Sequence, residues 1–221
     1  MGVAILVVVL LVIGNSSSTD EIHQADDTIG GDERTSPDIP IDLRIYEGEN
    51  NPVLGDLDAP ISLVEFGDYQ CTFCYKFHQN TLDTITNDFI KNGKVKLVFK
   101  DFPLNAPDSI LAAEAAYCAD DQKKYWQYHD ELYNNWEGER TGWITRESLD
   151  RFAITVDLDL TEFNTCLDEH KYEDKVNALY EFGREIGIDA TPSFLVFNDQ
   201  KIIKIRGNQP LEVFLKTFDE L

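Results

Sequence analysis

One stretch decides the fold: EFGDYQCTFCYKFH at residues 65–78. The residues just before it, 61–66, are mostly apolar and partly β-branched, which predicts the end of a buried strand. After the stretch, apolar residues recur at helical spacing as far as Ile90, so the hydrophobic period changes from two to 3.6. Cys71 and Cys74 are therefore expected to open a helix that follows the strand.

Two cysteines in the first turn of a helix favour redox chemistry. Unpaired N–H groups and the positive end of the helix dipole both stabilise a thiolate on Cys71. We predict that Cys71 has a lowered pKa and attacks disulfides, and that the more buried Cys74 resolves the mixed disulfide. Such a pair can also be half of a zinc site. Because the sequence has no second C-x-x-C and no H-x-x-x-H, we predict no metal site.

The composition limits the classes of partner. The chain has 221 residues and a hydrophobic fraction of 43%, enough for a normal core. With 41 acidic residues against 19 basic ones, the formal net charge is −22. No basic stripe is present to neutralise phosphates, so we predict no nucleic-acid partner.

The N-terminal region predicts a location outside the cytoplasm. Residues 1–14 are almost entirely aliphatic, shorter than the ~20 residues of a membrane-spanning helix, and suit a signal peptide or an N-terminal membrane anchor. Residues 15–42 are rich in small and acidic residues and predict a flexible acidic linker. The even number of cysteines, 4, is typical of an oxidising compartment. We therefore predict an extracytoplasmic protein, periplasmic or on the outer face of the cell membrane, either secreted or anchored.

The remaining pattern predicts a sheet interrupted by helices. Residues 94–100 alternate as a second strand, which completes a strand–helix–strand unit. Residues 104–187 contain only helical patterns, including one long, bent helix from Asp108 through Leu132. An apolar run at 193–197 and an alternating run at 201–206 then form a hairpin, and a helix over 210–221 closes the chain.

This order, with the cysteine pair, resembles the thioredoxin fold, and the helical insert resembles that of the DsbA family of thiol–disulfide oxidoreductases. Three motifs carry the resemblance: DYQCTFC at 68–74, AAEAAYCA at 112–119 with YWQYHDEL at 125–132, and GIDATPSF at 187–194. The resemblance implies an α/β thioredoxin fold with a central mixed sheet and an all-helical insertion. The thioredoxin-fold domain is expected over 43–103 and 188–221, and the insertion over 104–187.

The resemblance also implies roles for individual residues. Cys71 matches the nucleophile and Cys74 the resolving cysteine. Pro192 matches a cis-proline beside the active site, and the backbone of Thr191 pairs with the substrate peptide in that family. Glu65 matches a buried acid that helps to move protons for the resolving thiol. A strand-end residue in a surface ion pair is the alternative for Glu65.

The dipeptide between the cysteines departs from the strongly oxidising member of the family. Thr72 and Phe73 replace its Pro-His, and Phe73 cannot stabilise a thiolate by charge. We expect both residues to contact substrate and the pair to be less oxidising than the family extreme.

The other cysteines and the histidines are less directly informative. Cys118 and Cys166 are expected to form a structural disulfide across the insert, with a second redox pair as the alternative. His78 is expected to be a partly exposed helix residue rather than a catalytic base, and His129 to pack in an aromatic cluster.

Taken with the resemblance, these features predict an enzyme that introduces disulfides into cysteine-containing proteins. The redox-active Cys71–Cys74 disulfide serves in place of a cofactor, a membrane redox partner reoxidises it, and the protein is a monomer. Two alternatives stay open. One is a disulfide reductase or isomerase of the same superfamily, and the other is a peptide-binding or chaperone-like module with a purely structural Cys71–Cys74 disulfide.

Overall fold

The computed structural model describes residues 43–48, 50–105 and 107–221. The predicted signal peptide or anchor at 1–14 and the predicted linker at 15–42 lie outside these residues. Among the helices of the described ranges, none combines the length and apolar character needed to cross a membrane.

A mixed sheet of five strands forms the centre of the domain. Its spatial order is β1-β3-β2-β4-β5. The pair β2–β3 is parallel, and the other three neighbouring pairs are antiparallel. This arrangement confirms the predicted central mixed sheet. The strands are β1 (Val53–Leu54), β2 (Ile61–Gly67), β3 (Val95–Asp101), β4 (Ser193–Phe197) and β5 (Ile202–Arg206).

Helices connect and cover the strands. A 3₁₀ turn, Leu43–Tyr46, precedes β1. The first long helix begins as α1 (Thr72–Phe77) and continues through a π-helical turn (His78–Leu82), a short α-helical segment (Asp83–Ile85) and a second π-helical turn (Thr86–Ile90). Six further helices follow: α2 (Pro107–Asp120), α3 (Tyr125–Asn134), α4 (Arg146–Thr155), α5 (Leu160–Asp168), α6 (Glu173–Glu185) and α7 (Leu211–Asp219).

The prediction of one long, bent helix from Asp108 through Leu132 was wrong, because the chain breaks into α2 and α3. Lys123 adopts a positive φ of 61°, a conformation that ends a helix. The Lys124 N–H then bonds to the Ala119 carbonyl at 3.0 Å, which caps the end of α2. Because the apolar residues keep their helical spacing through this turn, the sequence does not reveal the break between the two helices.

Two apolar layers cover the sheet. On one side, Phe77 of α1 packs against Phe194 of β4 and Phe214 of α7, with ring centroids 4.6 and 5.3 Å away. On the other side, α6 lies against Phe66 and Phe102. Gly183 permits this approach, because a Cβ there would lie 2.7 Å from a ring carbon of Phe102.

The core of the insert reaches the cysteine pair. Cys71 and Cys74 belong to the same buried cluster as the apolar faces of α2 and α3. Several aromatic pairs connect the two parts, among them Tyr69 and Tyr133, whose ring centroids are 5.2 Å apart. The insert therefore forms one wall of the site that follows β2.

Candidate active site

Cys71 and Cys74 lie where β2 passes into α1. Cys71 is the N-cap residue of α1 and has extended backbone angles, while Cys74 lies in the first turn. Both thiols are free in this structure and nearly enclosed, with 4% of Cys71 and 1% of Cys74 exposed. Phe73, between them, is 54% exposed. The prediction that Cys74 is the more buried cysteine agrees with these values.

The pKa values of the two thiols are shifted in opposite directions. The pKa of Cys71 is lowered to about 7, chiefly by a hydrogen bond from the Cys74 thiol, and backbone N–H groups of Cys74 and Phe73 lower it further. The pKa of Cys74 is raised well above its ordinary value by burial, by its hydrogen bond to Cys71 and by the nearby charges of Cys71 and Glu65. At neutral pH Cys71 is therefore about half ionised, and any negative charge of the pair lies on Cys71 rather than on Cys74.

A loop from the other half of the fold closes over Cys71. The Thr191–Pro192 peptide bond is cis, and the Cys71 Sγ lies 3.4 Å from the Thr191 carbonyl oxygen. The Gly207 N–H bonds to the Pro192 carbonyl at 2.8 Å, and the Ser193 hydroxyl bonds to the Ala190 carbonyl at 2.7 Å. These two bonds fix the shape of the loop, and the contact between the Cys71 Sγ and the Thr191 carbonyl brings Thr191 and Pro192 beside the predicted nucleophile.

Glu65 lies inside the sheet. It pairs with Phe99 of β3 and Phe194 of β4, and only 2% of the residue is exposed. Its pKa is raised well above its ordinary value by burial and then by the charge of Cys71. The buried position excludes the alternative of a surface ion pair. The raised pKa favours the protonated form of a carboxyl group that is electrostatically coupled to both thiols.

The insert holds the loop before the cysteines in place. Asp68 is 2% exposed and accepts hydrogen bonds from several groups, including the Ser109 hydroxyl at 2.7 Å. The Gln70 carbonyl accepts a bond from the Trp136 Nε1 at 2.9 Å, and the Gln70 Oε1 accepts one from the Arg140 N–H at 2.9 Å. These anchors come from residues that no sequence motif distinguished.

Glu139 is a functional candidate that the sequence did not reveal. Its Oε1 accepts a hydrogen bond from the Thr72 N–H at 2.8 Å. This N–H belongs to the first residue of α1, next to Cys71. A carboxylate there opposes a thiolate on Cys71 and partly offsets the helix dipole. Glu139 lies in the loop between α3 and α4, and only the folded insert brings it to the cysteines.

The second cysteine pair is bonded. Cys118 of α2 and Cys166 of α5 form a disulfide, with their Cα atoms 5.8 Å apart. Both residues are buried in the core of the insert. The bond ties together two helices that are 48 residues apart in sequence.

His78 and His129 lie within hydrogen-bond distance of residues other than the cysteines. His129 is 1% exposed, and its Nδ1 lies 3.0 Å from the Tyr69 hydroxyl. His78 places its Nε2 3.1 Å from the Asp130 Oδ1. The expected packing of His129 in an aromatic cluster is confirmed by its contacts with Tyr69 and Phe99.

The family model described as Thioredoxin matches residues 47–219. The chain belongs to the thioredoxin family. Among curated relatives in this family, disulfide bond formation protein D of Bacillus subtilis is 32% identical over 159 residues, which cover 71% of each chain. The probable disulfide bond formation protein D of Bacillus anthracis is 31% identical over 147 residues, covering 65% of this chain and 68% of the relative.

Solved structures of the thioredoxin family share the architecture. The α-DsbA1 of Wolbachia pipientis superposes with a TM-score of 0.71 at 27% identity, covering 79% of this chain and 92% of that one. Oxidised BdbD of Bacillus subtilis superposes with a TM-score of 0.68 at 27% identity, covering 77% and 91%. These findings confirm the predicted DsbA-like thioredoxin fold with a helical insertion, and the predicted class of thiol–disulfide oxidoreductase.

Proposed function

We propose that this thiol–disulfide oxidoreductase introduces disulfides into cysteine-containing substrate proteins. The thiol exchange chemistry rests on the unequal acidity of the pair, with the pKa of Cys71 at about 7 and that of Cys74 raised. The direction of electron flow is supported by the relatives named disulfide bond formation protein D. A thiol of low pKa is a good leaving group, so it releases an oxidised substrate readily. Its thiolate also stabilises the reduced enzyme, which makes the oxidised pair an electron acceptor.

The proposed reaction has two exchange steps. A substrate thiolate attacks the Cys71 Sγ of the Cys71–Cys74 disulfide, and Cys74 leaves as a thiolate. A second substrate thiolate attacks the substrate sulfur of the mixed disulfide, and Cys71 leaves. The substrate loses two electrons and two protons overall, and the enzyme becomes a dithiol. Because the pKa of Cys74 is high, it takes up a proton on leaving, and Glu65 is the proposed donor.

Substrate is proposed to bind along the cis-proline loop. The Thr191 carbonyl lies 3.4 Å from the Cys71 Sγ, so a peptide bound along this loop brings its sulfur within reach of Cys71. Extended peptides pair with free backbone groups at the end of a strand as an added strand. The exposed ring of Phe73 and the half-buried Thr72 offer apolar contact beside the sulfur.

Several further expectations belong to this proposal. A membrane redox partner reoxidises Cys71 and Cys74, and no cofactor is needed besides their disulfide. The enzyme acts as a monomer. It acts outside the cytoplasm, a location that the apolar segment at 1–14 supports. The Cys118–Cys166 disulfide is structural and takes no part in turnover.

One observation favours a second candidate, a reductase or isomerase. Thiols of such pairs range in pKa from about 3.5 in the strong oxidant DsbA to about 7 in the reductant thioredoxin. The value of about 7 for Cys71 lies at the thioredoxin end. Acidity alone therefore leaves both directions of electron flow accessible, and the redox equilibrium decides between them.

A trapping experiment tests the proposed function. The oxidised full chain is mixed with one equivalent of a reduced peptide that carries two cysteines, and the products are separated by mass after acid quenching. The proposal predicts an oxidised peptide and a reduced Cys71–Cys74 pair. In parallel, the Cys74→Ser variant is mixed with the same peptide in its oxidised form and should accumulate a mixed disulfide through Cys71.

The matched control is Cys71→Ser, which keeps Cys74 as the only free thiol and should trap nothing. Persistence of the reduced peptide beside oxidised enzyme would contradict the proposed direction of electron flow. Equal trapping by the two variants would contradict the assignment of Cys71 as the nucleophile. No exchange at all would support the peptide-binding alternative with a structural disulfide.

A further inference from the structure

Three metal-ligating side chains meet where the first long helix packs on α3. His78 opens the π-helical turn one helical turn after Cys74, and it faces His129 and Asp130 of α3. The His78 Nε2 lies 3.1 Å from the Asp130 Oδ1. One ligand atom from each of the three residues lies within 4.8 Å of the other two. Turns of π-helix inside longer helices are frequent at functional sites.

The hydrogen bonds around His129 favour a tautomer in which one ring nitrogen is free to bind a ligand. Its Nδ1 lies 3.0 Å from the Tyr69 hydroxyl, and that hydroxyl lies 3.2 Å from the hydroxyl of Tyr125. Tyr69 can therefore accept a bond from the Nδ1–H of His129 while it donates its own proton to Tyr125. In this tautomer the Nε2 of His129 carries a free lone pair. Metal-binding histidines are oriented in this way by a hydrogen bond at the other nitrogen.

We propose that His78, His129 and Asp130 form a binding site for a divalent transition-metal ion such as Zn²⁺. Two imidazoles and one carboxylate are a donor set of catalytic and exchangeable zinc sites, in which water completes the coordination. The sequence prediction of no metal site weighed only the cysteines and the spacing of histidines along the chain. It could not foresee a site built from two helices.

The exposure of the three residues suits an ion that enters from solvent. His129 is 1% exposed, the His78 side chain is 12% exposed, and the Asp130 side chain is 56% exposed. Binding replaces the hydrogen bond between His78 and Asp130 by two bonds to the metal, and a neutral His78 then carries its single proton on Nδ1. The ion then links the helix that carries Cys74 to the insert.

Zinc titration of the full chain tests the site. Both cysteine pairs are first oxidised, because free thiolates at Cys71 and Cys74 would bind zinc themselves. Calorimetry then measures the affinity for Zn²⁺ of the wild type, of Asp130→Asn and of His78→Gln. The proposal predicts one site in the wild type and at least a tenfold loss of affinity in each variant.

His170→Gln is the matched control. His170 places its Nδ1 3.4 Å from a carboxylate oxygen of Glu114, so it forms a histidine–carboxylate pair without a second imidazole. Its removal should leave zinc affinity unchanged. Zinc at a fixed concentration should also raise the melting temperature of the wild type more than that of Asp130→Asn, whose melting temperature without metal reports an intact fold.

Three results would overturn the proposal. The first is equal zinc affinity in the wild type, Asp130→Asn and His78→Gln. The second is binding that disappears when His170, rather than His78, is replaced. The third is an oxidised wild type that binds zinc no more tightly than about millimolar, which would leave His78 and Asp130 as a simple hydrogen-bonded pair.

Discussion

The two cysteine pairs of this chain differ most in their place on helices. Cys71 is the N-cap residue of α1, with Cys74 in the first turn. Cys118 and Cys166 lie in the last turns of α2 and α5. The positive end of a helix dipole stabilises a thiolate and the negative end destabilises it. A cysteine is thus favoured as a reactive thiolate at the N-terminal end of a helix and as a stable disulfide at the C-terminal end.

The polar neighbours of the cysteines add to this difference. All four cysteines are buried, so exposure alone does not distinguish the pairs. Cys71 has backbone N–H groups, the Cys74 thiol and the cis-proline loop as polar neighbours. Cys118 and Cys166 lie in the core of the insert and have each other. Polar neighbours, rather than solvent access, therefore distinguish the pair that we propose to be redox-active from the pair that we propose to be structural.

Replacement of the nucleophile should have the largest effect on activity. Cys71→Ser should abolish oxidation of a dithiol peptide, because no other free thiol has a lowered pKa. The double variant Cys118→Ala/Cys166→Ala should retain the rate within about twofold when assayed where it stays folded. Stopped reactions analysed by mass would measure both rates. Loss of activity in the double variant would mean that the second pair exchanges electrons.

Removal of the structural disulfide should have the largest effect on stability. Because Cys118 and Cys166 are 48 residues apart, chain entropy predicts a loss of about 4 kcal/mol in the free energy of unfolding. Urea unfolding of Cys118→Ala/Cys166→Ala against the wild type measures it. Cys71→Ala/Cys74→Ala, compared with reduced wild type, is the control and should lose less. A loss below about 1 kcal/mol for the first variant would contradict a structural role.

Glu65 should matter for rate more than for stability. Glu65→Gln keeps the size of the buried side chain but cannot exchange a proton. Since Cys74 must gain a proton on leaving, we expect this variant to slow formation of the mixed disulfide by about 10²-fold. Quenched single-turnover reactions across pH 6–9 would show the loss. An unchanged rate throughout that range would mean that water, rather than Glu65, supplies the proton.

Glu139 should have the smallest effect, and it acts on acidity. Glu139→Gln keeps a hydrogen-bond acceptor for the Thr72 N–H but removes the negative charge. The pKa of Cys71 should fall by about 0.2–0.7, the shift that corresponds to a helix-terminus charge of about 0.3–1 kcal/mol. Alkylation rates of reduced protein between pH 5 and 9 measure it. Glu137→Gln, which alters an exposed residue of the same loop, is the control.

The sign of the Glu139 effect is the test of its role. In the wild type the alkylation rate of Cys71 should rise through pH 7, because the pKa of this thiol is lowered to about 7. Glu139→Gln should move that rise to lower pH. A rise at higher pH would mean that the carboxylate supports the thiolate through the structure of the loop.

The architecture could be predicted because its signals are local. The change of hydrophobic period across Cys71 and the apolar run at 193–197 each reflect one element and its burial. The DYQCTFC and GIDATPSF motifs then placed Cys71 and Pro192 in one site by resemblance. A local signal of the same kind lies at the start of α4, where Thr145 and Ser148 form a capping box.

What the sequence missed depends on contacts between distant segments. Glu139 and Trp136 reach the active site only because a loop of the insert folds over residues 70–72. His78 and His129 are far apart in sequence, and no spacing rule connects two helices that pack across each other. The break at Lys123 depends on a single left-handed residue, a conformation that lysine side chains do not signal.

The most direct test of the account is a redox titration that follows both pairs at once. The full chain is equilibrated in a series of glutathione buffers, quenched with an alkylating agent and analysed by mass after proteolysis. We predict that Cys71–Cys74 titrates between about −220 and −120 mV. Cys118–Cys166 should stay oxidised throughout, because structural disulfides have reduction potentials below about −300 mV. A Cys71–Cys74 potential at or below about −270 mV would mark a reductant and contradict the proposed direction of electron flow.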